Sequence, residues 1–344
     1  MFIRSTASIS PQASFSQLLN EPAVYDTNRL SCIEPDYAKI LDPKLIRRMS
    51  HIIKMGVAAA MGCLNEAGIQ NPDGIITGTA YGCLADTESF LTKMVENNEE
   101  LLTPTAFIQS THNTVAAQIA LMIKCHKYNN TFVHRGFSFE NALLDAVSLM
   151  HDGDASQVLV GGVDEITGTS HEILDRFGLF RNNPVSNLDM FNKSAKGTID
   201  GEGAAFFLLS KQASGNDYAK INALHTFYKP AGMEDIKMNI ENFISAQSVS
   251  IDDIDLIIRG RNGDQRNDAV YERLNESLFA GKNKIDYKHF CGEYPTSSAF
   301  ALWLAAHILK TGKIPSSILE NPKKILFYNH YQNIHHSLYL LSAC

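Results

Sequence analysis

The residues with which this chain could bind a metal or form a covalent intermediate are six cysteines and twelve histidines, and neither set is spaced for the task. Cys32, Cys63, Cys83, Cys125, Cys291 and Cys344 include no CxxC pair, so neither a zinc site nor a compact disulfide framework is expected. His335 and His336 are adjacent, and HExxH spacing is absent. The spacing therefore predicts reduced thiols, no metal and no cofactor. A serine lies just ahead of a helical stretch, Ser138 in His134-Arg135-Gly136-Phe137-Ser138-Phe139. Without a base beside it, a serine ahead of a helix serves as an N-cap more often than as a nucleophile.

The elements that must position these residues follow from periodicity. Apolar residues recur at helical spacing from Leu45 to Ala67 and stop at Gly68. Gly74-Ile75-Ile76-Thr77-Gly78-Thr79 then reads as a buried strand entering a glycine turn. Downstream we expect a helix over Val115–Lys124, a short strand over Thr131–His134, and a helix over Phe139–His151 that is apolar on most faces and so buried all round. Two further strands are Gln157–Val163, closed by a double glycine, and Gly203–Leu209. A second round begins near Tyr218. It has strands at Leu256–Ile258 and Ile325–Tyr328 and helices over Asn267–Phe279 and Ser298–Lys310. Two similar α/β halves, 1–210 and 211–344, are the expected organisation.

Composition narrows the class of function. With 44% hydrophobic and 19% charged residues the chain can bury a large core. A net charge of −7 with no dense Lys/Arg stripe leaves no footprint for nucleic acid. No run of eighteen apolar residues reads as a membrane span, and Met1–Asn20 lacks a signal-peptide core, so a cytoplasmic location is expected.

A series of landmarks, in order along nearly the whole chain, resembles the β-ketoacyl-acyl-carrier-protein synthases. These are Ile9-Ser10-Pro11, Leu41-Asp42-Pro43 with Arg47-Arg48-Met49, and Gly78-Thr79-Ala80-Tyr81-Gly82. They continue with Asn113–Ile119, with Gly153-Asp154-Ala155 followed by Gly161-Gly162-Val163-Asp164-Glu165, and with Asp200-Gly201-Glu202-Gly203-Ala204. The resemblance implies a thiolase-like α-β-α-β-α fold of five layers.

It also implies a catalytic triad of residue types, and this chain departs from each. In the family a cysteine opens the buried central helix and accepts the acyl chain as a thioester, while two histidines assist decarboxylation and stabilise the enolate. Aligning Ala142–Ala146 with that helix puts Gly136 at the cysteine. Counting back from Asn267-Asp268 puts Gly260 at the first histidine, and Gly292-Glu293 puts Glu293 at the second. Lys288 falls near the lysine that supports the second histidine, where an ordinary surface lysine would fit equally well. The family's glycine-rich gating loop is replaced by Tyr328-Asn329-His330-Tyr331-Gln332-Asn333.

Among relatives, the chain length factors lack the cysteine and pair with an active ketosynthase, and this chain most resembles them, with aryl polyene and flexirubin-type pigment pathways as the associated setting. The resemblance implies a role in polyketide or fatty-acid-type biosynthesis, as a dimer with a catalytic ketosynthase subunit and with an acyl carrier protein as a further partner. Its seam and tunnel wall would use Phe107, Ile108, His112, Asn113, Phe132 and His134. Two other readings remain open. One is a divergent acyltransferase using Ser138, His134 or Glu293. The other is a homodimeric scaffold that binds an acyl chain or carrier protein.

Overall fold

The computed structural model describes residues 1–192, 195–315 and 319–344. Among the described residues the strands of the main sheet are β1 Phe2–Ile9, β2 Gly74–Gly78, β3 Tyr128–Phe132, β4 Gln157–Asp164 and β5 Gly203–Ser210 from the first half. The second half contributes β6 Ala219–Tyr228, β7 Leu256–Arg259, β8 Lys284–Asp286, β9 Lys324–Tyr331 and β10 His335–Ser342. They form one array in the order β8-β7-β9-β10-β6-β1-β5-β4-β2-β3. Its centre is narrow, because β1 and β6 pair only through Phe2↔Lys220 and Ile3↔Ala219. Each side is a sheet of three parallel strands, β3-β2-β4 or β8-β7-β9, continued by two antiparallel ones, β5-β1 or β10-β6. The second half repeats the connectivity of the first.

Successive residues along a strand point to opposite faces, and here both faces are covered. Ile75, Phe206 and Leu208 join one core with α1 His51–Ala67 and α2 Thr114–Ile123. Their neighbours Ile76, Phe207 and Leu209 join the central core with α3 Ser138–Asp152 and α6 Ser298–Thr311. In the second half Ile257 and Leu326 meet α4 Met233–Ala246 and α5 Gln265–Asn275, while Ile258 and Phe327 turn inward. Three helical layers thus enclose two sheets, the expected five-layer fold. Burial on both faces is why these strands read as unbroken apolar runs.

Of the two central helices, α6 is the one buried nearly all round. The expectation that α3 would be so is corrected: it buries Phe139, Ala142, Leu143, Ala146 and Met150 along one stripe and leaves Leu144 38% exposed. Close packing of α6 and α3 on β4 requires the second glycine of its pair, since a Cβ on Gly162 would lie 2.8 Å from the Ala299 Cβ. The first long helix starts at His51 rather than Leu45, because Pro43–Ile46 forms a separate turn capped by Asp42. The strand expected over Thr131–His134 lies at Tyr128–Phe132 and is the free edge of its sheet. No helix among the described residues is long and apolar enough to cross a membrane.

Candidate functional site

The chain leaves β3 at Phe132, turns through Arg135, whose φ is +47°, and enters α3 at Ser138. The turn is closed by the serine itself. Ser138 Oγ donates to the Arg135 carbonyl at 2.9 Å and accepts from the His134 N–H at 2.8 Å. Among the described residues no carboxylate or imidazole side chain hydrogen-bonds that hydroxyl, which fits a structural role at a helix start. His134 is exposed, with its Nδ1 3.2 Å from the Asn141 amide nitrogen.

Gly136 is buried in this turn, beneath the hairpin between β9 and β10. A Cβ placed on it would lie 2.6 Å from the Tyr331 Cβ and 3.1 Å from the His335 Cβ. Phe137 stacks edge-on against His335 with ring centroids 4.7 Å apart.

Tyr331 also lines a cavity between the halves, together with Tyr81, Asp164, Asp200, Asn262 and Glu293. Its volume of about 50 Å3 suits a few waters rather than an acyl chain. Neither a cysteine nor a histidine is among the described residues that line it. Asp164 projects from the end of β4 and accepts from Thr79 Oγ1, the Ala80 N–H, and the N–H and Oγ1 of Thr296. Burial nonetheless outweighs these donors and pushes its carboxyl up to about 6. Burial likewise pushes Glu165 up to about 7.

On the far wall Glu293 accepts three hydrogen bonds. Lys288 Nζ reaches its two oxygens at 2.9 and 2.8 Å, and the Asn262 amide donates at 2.6 Å. Lys288 is buried, so the surface-lysine alternative is corrected: a lysine at this depth needs a carboxylate, and Glu293 supplies it. Asn262 is held in turn by Asp268, which accepts the Asn262 and Gly263 N–H groups. Burial raises Asp268 to about 6.

Of the expected site residues, Glu293 lines the cavity, whereas Gly136 and Gly260 do not. Gly260 is covered by the Asn329 side chain and lies, at its would-be Cβ, 2.8 Å from Tyr271 Oη. Asn262 and Tyr331, which sequence reasoning did not single out, take the places nearest Glu293 and Gly136. None of Phe107, Ile108, His112, Asn113, Phe132 and His134 lines the cavity. Phe132 is half-buried, and the other five are exposed. A His171–Asp200 pair at 2.7 Å, stacked on Phe180, braces the wall beside Asp200. No group of three or more His, Cys, Asp or Glu side chains among the described residues is placed to hold a metal ion. The arrangement therefore has acceptors, phenols and an amide, but no thiol or imidazole aimed at a common point.

No curated protein sequence matches the chain. Solved structures match its whole length. It is similar to one described as "The ishigamide ketosynthase/chain length factor", with a TM-score of 0.84 and 15% identity over 100% of this chain and 98% of that one. It is similar also to a β-ketoacyl synthase from Burkholderia phymatum STM815, with a TM-score of 0.80 and 14% identity over 100% and 99%. A third, "AntDE:AntF (apo): type II PKS acyl-carrier protein in complex with its ketosynthase bound to the hexaketide", aligns with a TM-score of 0.75 and 13% identity over 100% and 99%. These likenesses establish a thiolase-like ketosynthase fold. Residues 19–214, more than half of the chain, match the family model for the N-terminal domain of β-ketoacyl synthases, and the chain belongs to that family.

Proposed function

We propose that this chain is a noncatalytic partner, of the chain-length-factor kind, for a cysteine-bearing β-ketoacyl synthase. The observation that carries the reading is the head of α3, where Gly136 occupies the turn and the hydroxyl of Ser138 is spent on the backbone. Condensation by this fold needs a nucleophile there and two groups able to assist decarboxylation and stabilise an enolate. Glu293 instead receives three donors, two of them from an ammonium group. An ionised carboxylate accepts hydrogen bonds and donates none, so it does not stabilise a developing negative charge.

The work left to such a subunit is to shape the space in which its partner extends an acyl chain. β3 is the free edge of its half-sheet and offers unpaired backbone groups to a partner strand. Phe107 and Ile108 add exposed apolar surface at 57% and 60%. The likeness to structures described as a ketosynthase/chain length factor and as a ketosynthase with its carrier protein supports this reading. We extend it to a heterodimer that handles a polyene acyl chain of the aryl polyene or flexirubin type and meets an acyl carrier protein.

The test is co-expression with a candidate cysteine-bearing ketosynthase, followed by size exclusion and product analysis by mass spectrometry. A stable complex whose products change length when this chain is omitted is the expected result. Separate elution with unchanged products overturns the proposal. Acyl label taken up by this chain alone favours the divergent-acyltransferase reading instead.

A further inference from the structure

We propose that Tyr331 is a plug that keeps acyl thioesters away from the head of α3 in this chain. The inference rests on the ketosynthase reading and deepens it. Loss of the nucleophile and closure of its space are one exchange, with glycine where the reacting side chain would stand and tyrosine where there would be room.

Gly136 does not sit at a left-handed φ, so its backbone admits a side chain and only the surroundings exclude one. The obstruction is the Tyr331 Cβ at 2.6 Å, which no rotation of the tyrosine side chain can move. The His335 Cβ at 3.1 Å supports it from the other arm of the hairpin. Tyr331 is buried, lies with its hydroxyl 3.5 Å from that of Tyr81, and forms part of the cavity wall. Gly136 is not part of that wall. Tyr331 therefore stands between the cavity and the turn, and a thiol introduced at position 136 would have neither space for its own Cβ nor an open approach for a thioester.

Opening the plug should permit the first half of the family's chemistry alone. In the double variant Gly136→Cys/Tyr331→Gly, the introduced thiolate attacks the carbonyl carbon of octanoyl-N-acetylcysteamine. A new carbon–sulfur bond forms, the original one breaks, and N-acetylcysteamine leaves as a thiolate that takes a proton from water. No oxidant or reductant is needed.

The experiment compares the native chain with Gly136→Cys, Tyr331→Gly and the double variant. Each is incubated with that thioester, and octanoylation is assigned by peptide mapping, which separates position 136 from the exposed native Cys344. The expected result is labelling at 136 about tenfold faster in the double variant than in Gly136→Cys. Equal rates, or a folded double variant that takes no label, overturn the proposal. A stability cycle with Gly136→Ala, Tyr331→Gly and their combination guards against misfolding of the cysteine variants. Tyr331→Gly should offset part of the loss caused by Gly136→Ala, whereas strict additivity overturns the plug. If the native chain condenses acyl units alone, the noncatalytic reading fails, while the cycle still judges the plug.

Discussion

Lys288 donates to both carboxylate oxygens of Glu293, with the lysine side chain 1% exposed and the glutamate 10%. The pair replaces hydration that both groups lose on burial, so either partner alone becomes a liability. Lys288→Met leaves a buried carboxylate with the Asn262 amide as its remaining side-chain donor and should destabilise the chain by about 3–5 kcal/mol in urea unfolding. Replacing both residues, as Lys288→Met/Glu293→Leu, should cost clearly less than the sum of the single changes. Silent single variants would mean that the pair is solvated.

A second buried carboxyl ties the halves together differently. Glu140 lies on α3, and Tyr339 of β10 donates to its Oε1 at 2.9 Å. Burial raises its pKa against the hydroxyls of Ser298, Tyr339 and Ser337, which lower it. Glu140→Gln carries no ionisable group and should change stability by within about 1 kcal/mol, whereas Tyr339→Phe removes the donor and should cost about 1–3 kcal/mol. Thermal unfolding of both variants distinguishes these outcomes, and the reverse ranking would show that Glu140 is held as a carboxylate.

Acid should weaken the fold partly through His336, which burial lowers to about 4. Its neutral form is favoured when folded, so its contribution is complete above an unfolded pKa of about 6.5 and is lost as pH falls towards 4. Asp164 and Asp268, both raised to about 6, act oppositely and favour the fold as pH falls through the same range. His336→Phe isolates the histidine. Loss of its contact with Tyr328 Oη, 2.9 Å from Nδ1, is a constant offset, while the slope of stability against pH should change by up to one proton, about 1.4 kcal/mol per pH unit. Urea unfolding from pH 4.5 to 7.5 reads it, and parallel curves for variant and native chain would sink the assignment.

The parts of this fold that were legible before the structure are those in which local pattern and global burial agree. Ile75-Ile76 and Phe206-Phe207 read as strands because each adjacent pair serves two cores. β1, with Ser5 and Thr6 buried, and β10, with His336 and Ser337 buried, were not legible, because their polar side chains lie in places an apolar pattern would mark. Ser5 Oγ donates to the Cys63 carbonyl and Thr6 Oγ1 to that of Phe206, so partners from other elements make those polar positions tolerable. The site divides in the same way. The sequence alignment pointed to Gly136 for a missing thiol, but Tyr331 meets it from the far end of the chain, and no periodicity joins the two. Asn262 was hidden for a similar reason, since its partner Glu293 belongs to another turn.

Substitution of the exposed pair Phe107 and Ile108 tests a role in assembly against ordinary packing. At 57% and 60% exposure they bury little within the chain, although the Phe107 ring still packs at a tilt against Phe90, with centroids 5.7 Å apart. Truncating a fully buried Phe costs about 3–5 kcal/mol, so Phe107→Ala and Ile108→Ala should fall well below that range in the isolated chain. If a ketosynthase covers them, the same changes remove apolar contact at the interface and should weaken the complex by about 1–2 kcal/mol each, or roughly a factor of ten in dissociation constant. If they also close the partner's tunnel, its products should lengthen. Half-buried Phe132 is the internal contrast, because it packs on the central core and its truncation should lower the stability of the isolated chain as well. The measurements are thermal unfolding of the isolated variants, affinity for the co-expressed ketosynthase, and product length by mass spectrometry. Unchanged affinity and product length for both exposed variants would remove this surface from the interface and return control of length to the catalytic subunit.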